Sequence, residues 1–243
     1  ALWALSEVMT NTTLSKKMRE RAKSIFIKAL NRGLKLTHLR SRAFTIKSYA
    51  LAMSVMPEHR LIIIEKIKNQ ADYLADALKN NSIKAWSWFE STLNYNNAIL
   101  SESLFIAGSA TKTPEYTEKG IASLQFLISK TFSNDIYLPI GHTRWYKNKK
   151  KRSSYDQQPE DPASMILALD TAYKNIHNEE YKNLALKCFS WFLGNNSLEQ
   201  SLYDEETGGC YDGLHPDRVN LNQGAESLVS YLMSNITVTY SLS

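Results

Sequence analysis

Cysteine, glycine, proline and long apolar runs are all scarce in this sequence, whose 243 residues include only 2 Cys, 9 Gly and 6 Pro. Cys188 falls in a helical pattern and Cys210 in a Gly-rich loop, so neither a disulfide scaffold nor a CxxC-type metal site is available. Gly and Pro lie below their average usage of roughly 7% and 5%. A β-sandwich or barrel of this length would need many more turn residues, which excludes an all-β fold. The longest apolar cluster, Leu61 to Ile64, stops at Glu65, far short of the ~20 residues of a membrane span. No GxxxxGKS/T loop, no GxGxxG after a strand and no EF-hand spacing occurs. No cofactor and no metal are expected, and the expected setting is soluble and cytoplasmic, away from membranes. The opening ALWALSEVMT lacks the charged start and cleavage site of a signal peptide. It begins inside an apolar-periodic segment, as a piece of a longer protein with its missing part upstream would.

What is present is helical. Hydrophobic residues make up 43% of the chain, enough for a sizeable core. An Asn11-Thr12-Thr13 cluster precedes the stripe Leu14, Met18, Ala22, Ile25 and Ala29, and Gly33 is the expected stop of a helix reaching Leu34. Further helices are predicted over Ser41–Val55, Pro57–Asn80, Tyr95–Ser109, Pro114–Thr131, Asp161–Ile176, Glu179–Leu193 and Asn222–Val238. Pro114 and Pro162 sit where a first-turn proline is tolerated. The roughly nine helices come in pairs without a repeating signature, which favours a single α/α toroid of helical hairpins over a solenoid. Residues 1–243 read as one domain. Six hairpins would need twelve helices, so the ring can be incomplete because the chain starts within the domain.

The connections Lys84–Asn94, Asn134–Glu160 and Asn195–Leu221 are long, aromatic and polar. Loops above ~12–15 residues in a compact domain are usually functional, and on one rim of a toroid they would wall a cup. In the first, Trp86, Trp88 and Glu90 precede Asn94, Asn96 and Asn97. Aromatic faces stack on sugar rings while carboxylates and amides bond their hydroxyls; the plainer reading is core packing and capping. The second carries His142, Asp156, Gln157 and Gln158 before a helix that Asp156 or Asp161 could cap. The third carries Tyr211 and Asp212 among turn residues, and the start of the last helix carries Asn222, Gln223 and Glu226, with Asn222 the expected N-cap. Glu90, Asp156, Asp212 and Glu226 are the candidate catalytic carboxylates, Glu90 and Asp156 foremost. Trp86, Trp88, Asn96, Asn97, His142, Gln157, Gln158, Tyr211, Asn222 and Gln223 are the candidate substrate-binding residues.

Taken together, WSWFESTLNYNNAIL (86–100), SYDQQPEDPASM (154–165), WFLGNN (191–196) with LYDEETGGCYDGL (202–214), and VNLNQGAESLVSYL (219–232) resemble a bacterial family. It is the C-terminal helical domain fused to, or encoded near, glycosyltransferases in carbohydrate gene clusters, grouped with the six-hairpin glycosidase-like toroids. The resemblance covers nearly the whole chain and implies the fold, a carbohydrate ligand and a glycosyltransferase domain or partner, without naming a reaction. Ser6-Glu7 departs from the glycine the family has after ALWAL, and Lys147 to Arg152 is unusually basic; neither touches the polar motifs.

Two functions of different class fit these residues. A glycosidase would place two carboxyl groups across the scissile bond, one kept protonated by its surroundings. A non-catalytic carbohydrate-binding domain serving a glycosyltransferase would use the same groups only as hydrogen-bond partners. An epimerase or isomerase would want a histidine base, for which only His142 and His215 lie in suitable loops. Nucleic-acid binding through Lys147, Lys149, Lys150, Lys151 and Arg152 is disfavoured, because the run is short and the net charge is only +5.

Overall fold

The computed structural model describes residues 1–32, 35–133 and 136–242. Among them run nine α-helices: α1 (Leu2–Thr10), α2 (Lys16–Arg32), α3 (Leu39–Ala52), α4 (Arg60–Asn81), α5 (Ala98–Thr111), α6 (Pro114–Thr131), α7 (Glu160–Ile176), α8 (Glu179–Ser190) and α9 (Ala225–Ile236). The expected stop at Gly33 lies outside the described residues. None of the described helices is long and apolar enough to cross a membrane.

Odd-numbered helices form an inner layer, each packed on the next: α1 on α3, α3 on α5, α5 on α7 and α7 on α9. Even-numbered helices return on the outside, giving an all-α toroid layout. Sequence sets this division. In α5 nearly every position from Ala98 to Gly108 is buried, as suits a helix surrounded by neighbours. In α4 only Ile63, Ile67, Ala71, Leu74, Ala75 and Leu78 are buried, a single stripe at helical spacing. The turns are local: Lys112 and His177 end α5 and α7 in left-handed conformation, Pro114 opens α6, and the Asn178 side chain caps α8 by accepting from Glu180 N.

Several boundaries differ from the sequence expectation. Helix α5 starts at Ala98 rather than Tyr95, because Asn94 and Asn97 close a polar turn: Asn97 Oδ1 accepts from Asn94 N at 3.0 Å and its amide donates to Asn94 O at 2.7 Å. Pro57–His59 is a separate 3-10 turn ahead of α4. Helix α9 is capped at Gly224, not Asn222.

Among the described residues the long connections contain three two-stranded antiparallel ribbons: β1 (Thr92–Leu93) with β4 (Tyr146–Lys147), β2 (Phe132–Ser133) with β3 (Ile136–Tyr137), and β5 (Gly213–Leu214) with β6 (Val219–Asn220). An aromatic group, Trp86, Trp88, Phe89 and Phe126, plugs the core beneath the first ribbon.

Candidate active site

The loops are stitched into one rim. Ribbon β1–β4 joins the 86–97 segment to the segment that carries His142 and Asp156. Gln157 and Leu214 exchange backbone hydrogen bonds, joining that segment to the 202–214 loop. Asp212 then joins the 202–214 loop to the start of α9: its Oδ1 accepts from Gly224 N at 2.7 Å and from Ser227 Oγ at 2.6 Å. Two glycines permit the close approaches. A Cβ on Gly141 would meet Tyr155 O at 2.2 Å, and Gly213, at φ +144°, lies against Gln157 O. All four polar segments therefore sit around one mouth at the N-terminal ends of α3, α5, α7 and α9.

On the inner side of that rim stands an acid–base cluster. Asp161, buried in the first turn of α7, accepts from Asn96 N at 2.8 Å and lies 2.9 Å from His142 Nε2. The same nitrogen is 3.9 Å from Glu160 Oε1. Arg40, at the start of α3 and buried, donates to Glu90 Oε2 at 2.9 Å, to Tyr95 O at 2.6 Å, to Asn97 Oδ1 at 3.2 Å and to Asn94 Oδ1. Its guanidinium also lies over the Tyr95 ring. Across the rim His215 Nδ1 is 2.6 Å from Asp156 Oδ1, while Asp156 O accepts from His142 N at 2.8 Å.

The electrostatics of the cluster follow from burial and crowding. Glu160 is pushed up to about 7, first by burial and then by the negative charges of Asp161 and Glu226; His142 and Arg40 pull the other way. Burial also raises Asp161, against His142, the Asn96 amide and Arg40. For His142, burial disfavours the imidazolium, but Asp161, Glu160 and Asp156 together outweigh it and raise the pKa. His142, Glu160 and Asp161 hold ligand atoms within 4.8 Å of one another, a set that could take a divalent ion. The direct 2.9 Å contact between His142 and Asp161 fills that space with a hydrogen bond instead.

Beneath the cluster a cleft of about 180 Å³ is lined by Asn96, Glu160, Ser164 and Glu226, with Lys47 and Glu102 deeper in. Of the residues expected from sequence, Asn96 and Glu226 line this cleft and His142 lies 3.9 Å from its Glu160, whereas Glu90 is engaged by Arg40 and Asp156 by His215. The others are elsewhere. Trp86 and Trp88 are 2% and 0% exposed, so neither can present a face to a sugar; the aromatic plug around Phe126 holds them. Asn97 is buried in its turn. Gln157 is buried too, its amide donating to Ser154 O and Ser197 Oγ and its carbonyl accepting from Trp191 Nε1. Asp212 is the cap of α9 rather than a free carboxylate. Gln223 is tied to Asp204 and Thr207, beside Tyr211, on the outer part of the 202–214 loop. Asn222 is exposed and contributes its carbonyl to Asp212 N, and Gln158 gives its carbonyl to Asp161 N.

Sequence reasoning passed over Glu160, treated Asp161 only as a cap, and missed Arg40, Lys47 and Glu102. A signal existed for Glu102, the single charge in the apolar stretch AILSESLFIAG. A lone charge on an inner helix must face a partner or a cavity.

No protein-family model matches this sequence, and no curated protein does. Among solved structures the chain is similar to a D-mannose isomerase crystal structure, with a TM-score of 0.60 and 16% identity over 98% of this chain and 69% of that one. At that identity the likeness is one of fold, and it assigns the chain to the all-α toroid architecture.

Proposed function

We propose that this chain is a carbohydrate-active toroid domain that hydrolyses a glycosidic bond in the cleft beneath Glu160. The observation that carries the reading is Glu160 itself, a half-buried carboxyl lining the cleft whose pKa near 7 keeps it protonated where an ordinary glutamate is ionised. Glu160 donates its proton to the glycosidic oxygen as the bond to the anomeric carbon breaks. Glu226, on the same cleft, is the second carboxylate; it either takes a proton from the attacking water or attacks the anomeric carbon itself. Asn96, held by its main-chain bond to Asp161, lines the polar wall, and Arg40, paired with Glu90, holds the turn that carries it. Glu90 and Asp156, the carboxylates favoured from sequence, act here by holding Arg40 and His215. The domain sits, on this proposal, in the bacterial cytoplasm as part of a longer protein beside a glycosyltransferase, which rests on the sequence resemblance alone.

One observation favours a second chemistry. His215, oriented by Asp156, and His142, oriented by Asp161, flank the same mouth, as proton transfer at a sugar carbon next to a carbonyl would require. The solved structure of similar fold is itself named for sugar isomerisation.

One experiment separates the readings. Neutral oligosaccharides and free aldoses are incubated with the protein in D2O and followed by NMR. Hydrolysis appears as new reducing ends lost in Glu160→Gln. Isomerisation appears as deuterium at the sugar carbon next to the carbonyl, lost in His215→Asn. Binding with neither change would leave a carbohydrate-binding domain and overturn the catalytic reading.

A further inference from the structure

Two aromatic rings stand where the first ribbon meets the mouth. Ribbon β1–β4 pairs Leu93 with Tyr146, and close to that pair Tyr95 and Trp145 bring their rings to 6.2 Å at an open angle of 46°. Tyr95 is 46% exposed and Trp145 is half-buried. Each ring rests on a member of the cluster: the Arg40 guanidinium lies 4.9 Å from the Tyr95 centroid, and the His142 ring lies 4.4 Å from that of Trp145.

Trp145 differs from the other tryptophans. The indole N–H groups of Trp3, Trp86 and Trp191 donate to Glu7, the Glu90 carbonyl and Gln157, and that of Trp88 is sealed in the aromatic plug. Among the described residues the N–H of Trp145 has no acceptor, and it is not sealed from solvent. The Trp145 backbone is also unusual, with φ at +59°, a left-handed conformation that bulky side chains avoid. Two main-chain bonds hold it there, Trp145 N on Gly141 O at 3.2 Å and Ser153 N on Trp145 O at 3.1 Å. Strain of this kind persists only where the surroundings enforce it, and it clusters at ligand-binding sites.

The pair adjoins the cleft. Asn96, the residue after Tyr95, lines it, and His142, in contact with Trp145, holds its Nε2 3.9 Å from Glu160 Oε1. We infer that Tyr95 and Trp145 form an aromatic platform that stacks the sugar ring next to the one seated at Glu160, with the Trp145 N–H donating to one of its hydroxyls. The apolar C–H face of that sugar covers the rings while its other hydroxyls stay in water. This deepens the saccharide reading above and rests on it. It gives Tyr95 and Trp145 the stacking that the buried Trp86 and Trp88 cannot perform. It also makes the substrate a chain of at least two sugars, gripped on both sides of the bond beside Glu160.

The test measures binding in a Glu160→Gln background, where the proposed turnover does not consume the ligand. D-glucose, D-mannose, D-galactose and the 1,4-linked di- and trisaccharides of each, in both anomeric forms, are titrated by ligand-observed NMR. With the platform intact, the disaccharide of a recognised sugar binds about tenfold more tightly than the single sugar. Trp145→Asn, whose side chain tolerates a left-handed backbone, abolishes that advantage, Trp145→Phe keeps most of it, and Tyr95→Ala reduces it. A Trp145→Asn protein that shifts the His142 imidazole resonances yet keeps the advantage would show that the ring only covers His142, and the platform would be overturned. Single sugars and disaccharides bound equally by the background protein would overturn it too, leaving the saccharide reading standing. Binding of none of these sugars would overturn both.

Discussion

A carboxyl group that holds its proton near neutrality must be kept from water and beside other negative charge, and Glu160 meets both conditions. The protonated fraction of Glu160 falls as pH rises through about 7, so on the proposed hydrolysis kcat/KM should fall above that point and Glu160→Gln should abolish turnover. The same shift bears on stability. Because the folded pKa lies above the ordinary 4.5, the native state binds more protons than the unfolded chain between those values. Folding free energy is therefore lost as pH climbs from about 4.5 to 7 and stays lost above it, by up to about 3 kcal/mol. Glu160→Gln should accordingly raise the melting temperature at pH 8 and leave it nearly unchanged at pH 4, as paired thermal melts will show. Asp212 illustrates the opposite case, a carboxylate spent on structure. With Gly224 N and Ser227 Oγ both on its Oδ1, Asp212→Ala should cost about 1–2 kcal/mol in urea denaturation, the usual loss for a helix cap.

Short ribbons and backbone bridges, more than the helices, decide how the polar side chains meet. The 141–156 segment is held by Gly141 N on Ser153 O, by the Tyr155 backbone against Gly141, and by Arg152, whose guanidinium donates to the Lys130, Leu138 and Pro139 carbonyls. Gly141→Ala would drive a methyl into Tyr155 and force the segment apart. We expect a loss of about 1–3 kcal/mol, together with a shift of the His142 imidazole resonances, because His142 follows Gly141 directly. Gln157 plays the same part between two other loops, its backbone paired with Leu214 and its side chain buried on Trp191. Gln157 was expected to touch a sugar; it instead holds two of the rim loops together.

At the scale of the whole molecule the inner layer is an arc. Helices α3, α5 and α7 each have an inner neighbour on both sides, whereas α1 and α9 have one each and face each other across the cleft through Trp3, Val229 and Met233. Opening free energies should grade accordingly. Native-state hydrogen exchange should find α5 and α7 protected to the level of global unfolding and α1 exchanging through smaller openings. Equal protection along the whole layer would contradict that gradient.

The helices and their pairing were legible in the sequence because both are local: apolar residues three and four apart make a stripe, and Pro114 marks a helix start at the residue where it acts. The toroid followed from that rhythm and from the motif resemblance, and the four polar segments were recognisable as loops that could share a rim. Tertiary structure alone decided which of their residues reach the cleft. Trp88 and Asn96 are both loop residues of the same segment, yet one is sealed by Phe126, from a helix well along the chain, and the other opens on the cleft. Glu160, Glu102 and Arg40 gain their properties from burial and from charges on other helices, and no stretch of sequence contains those distances.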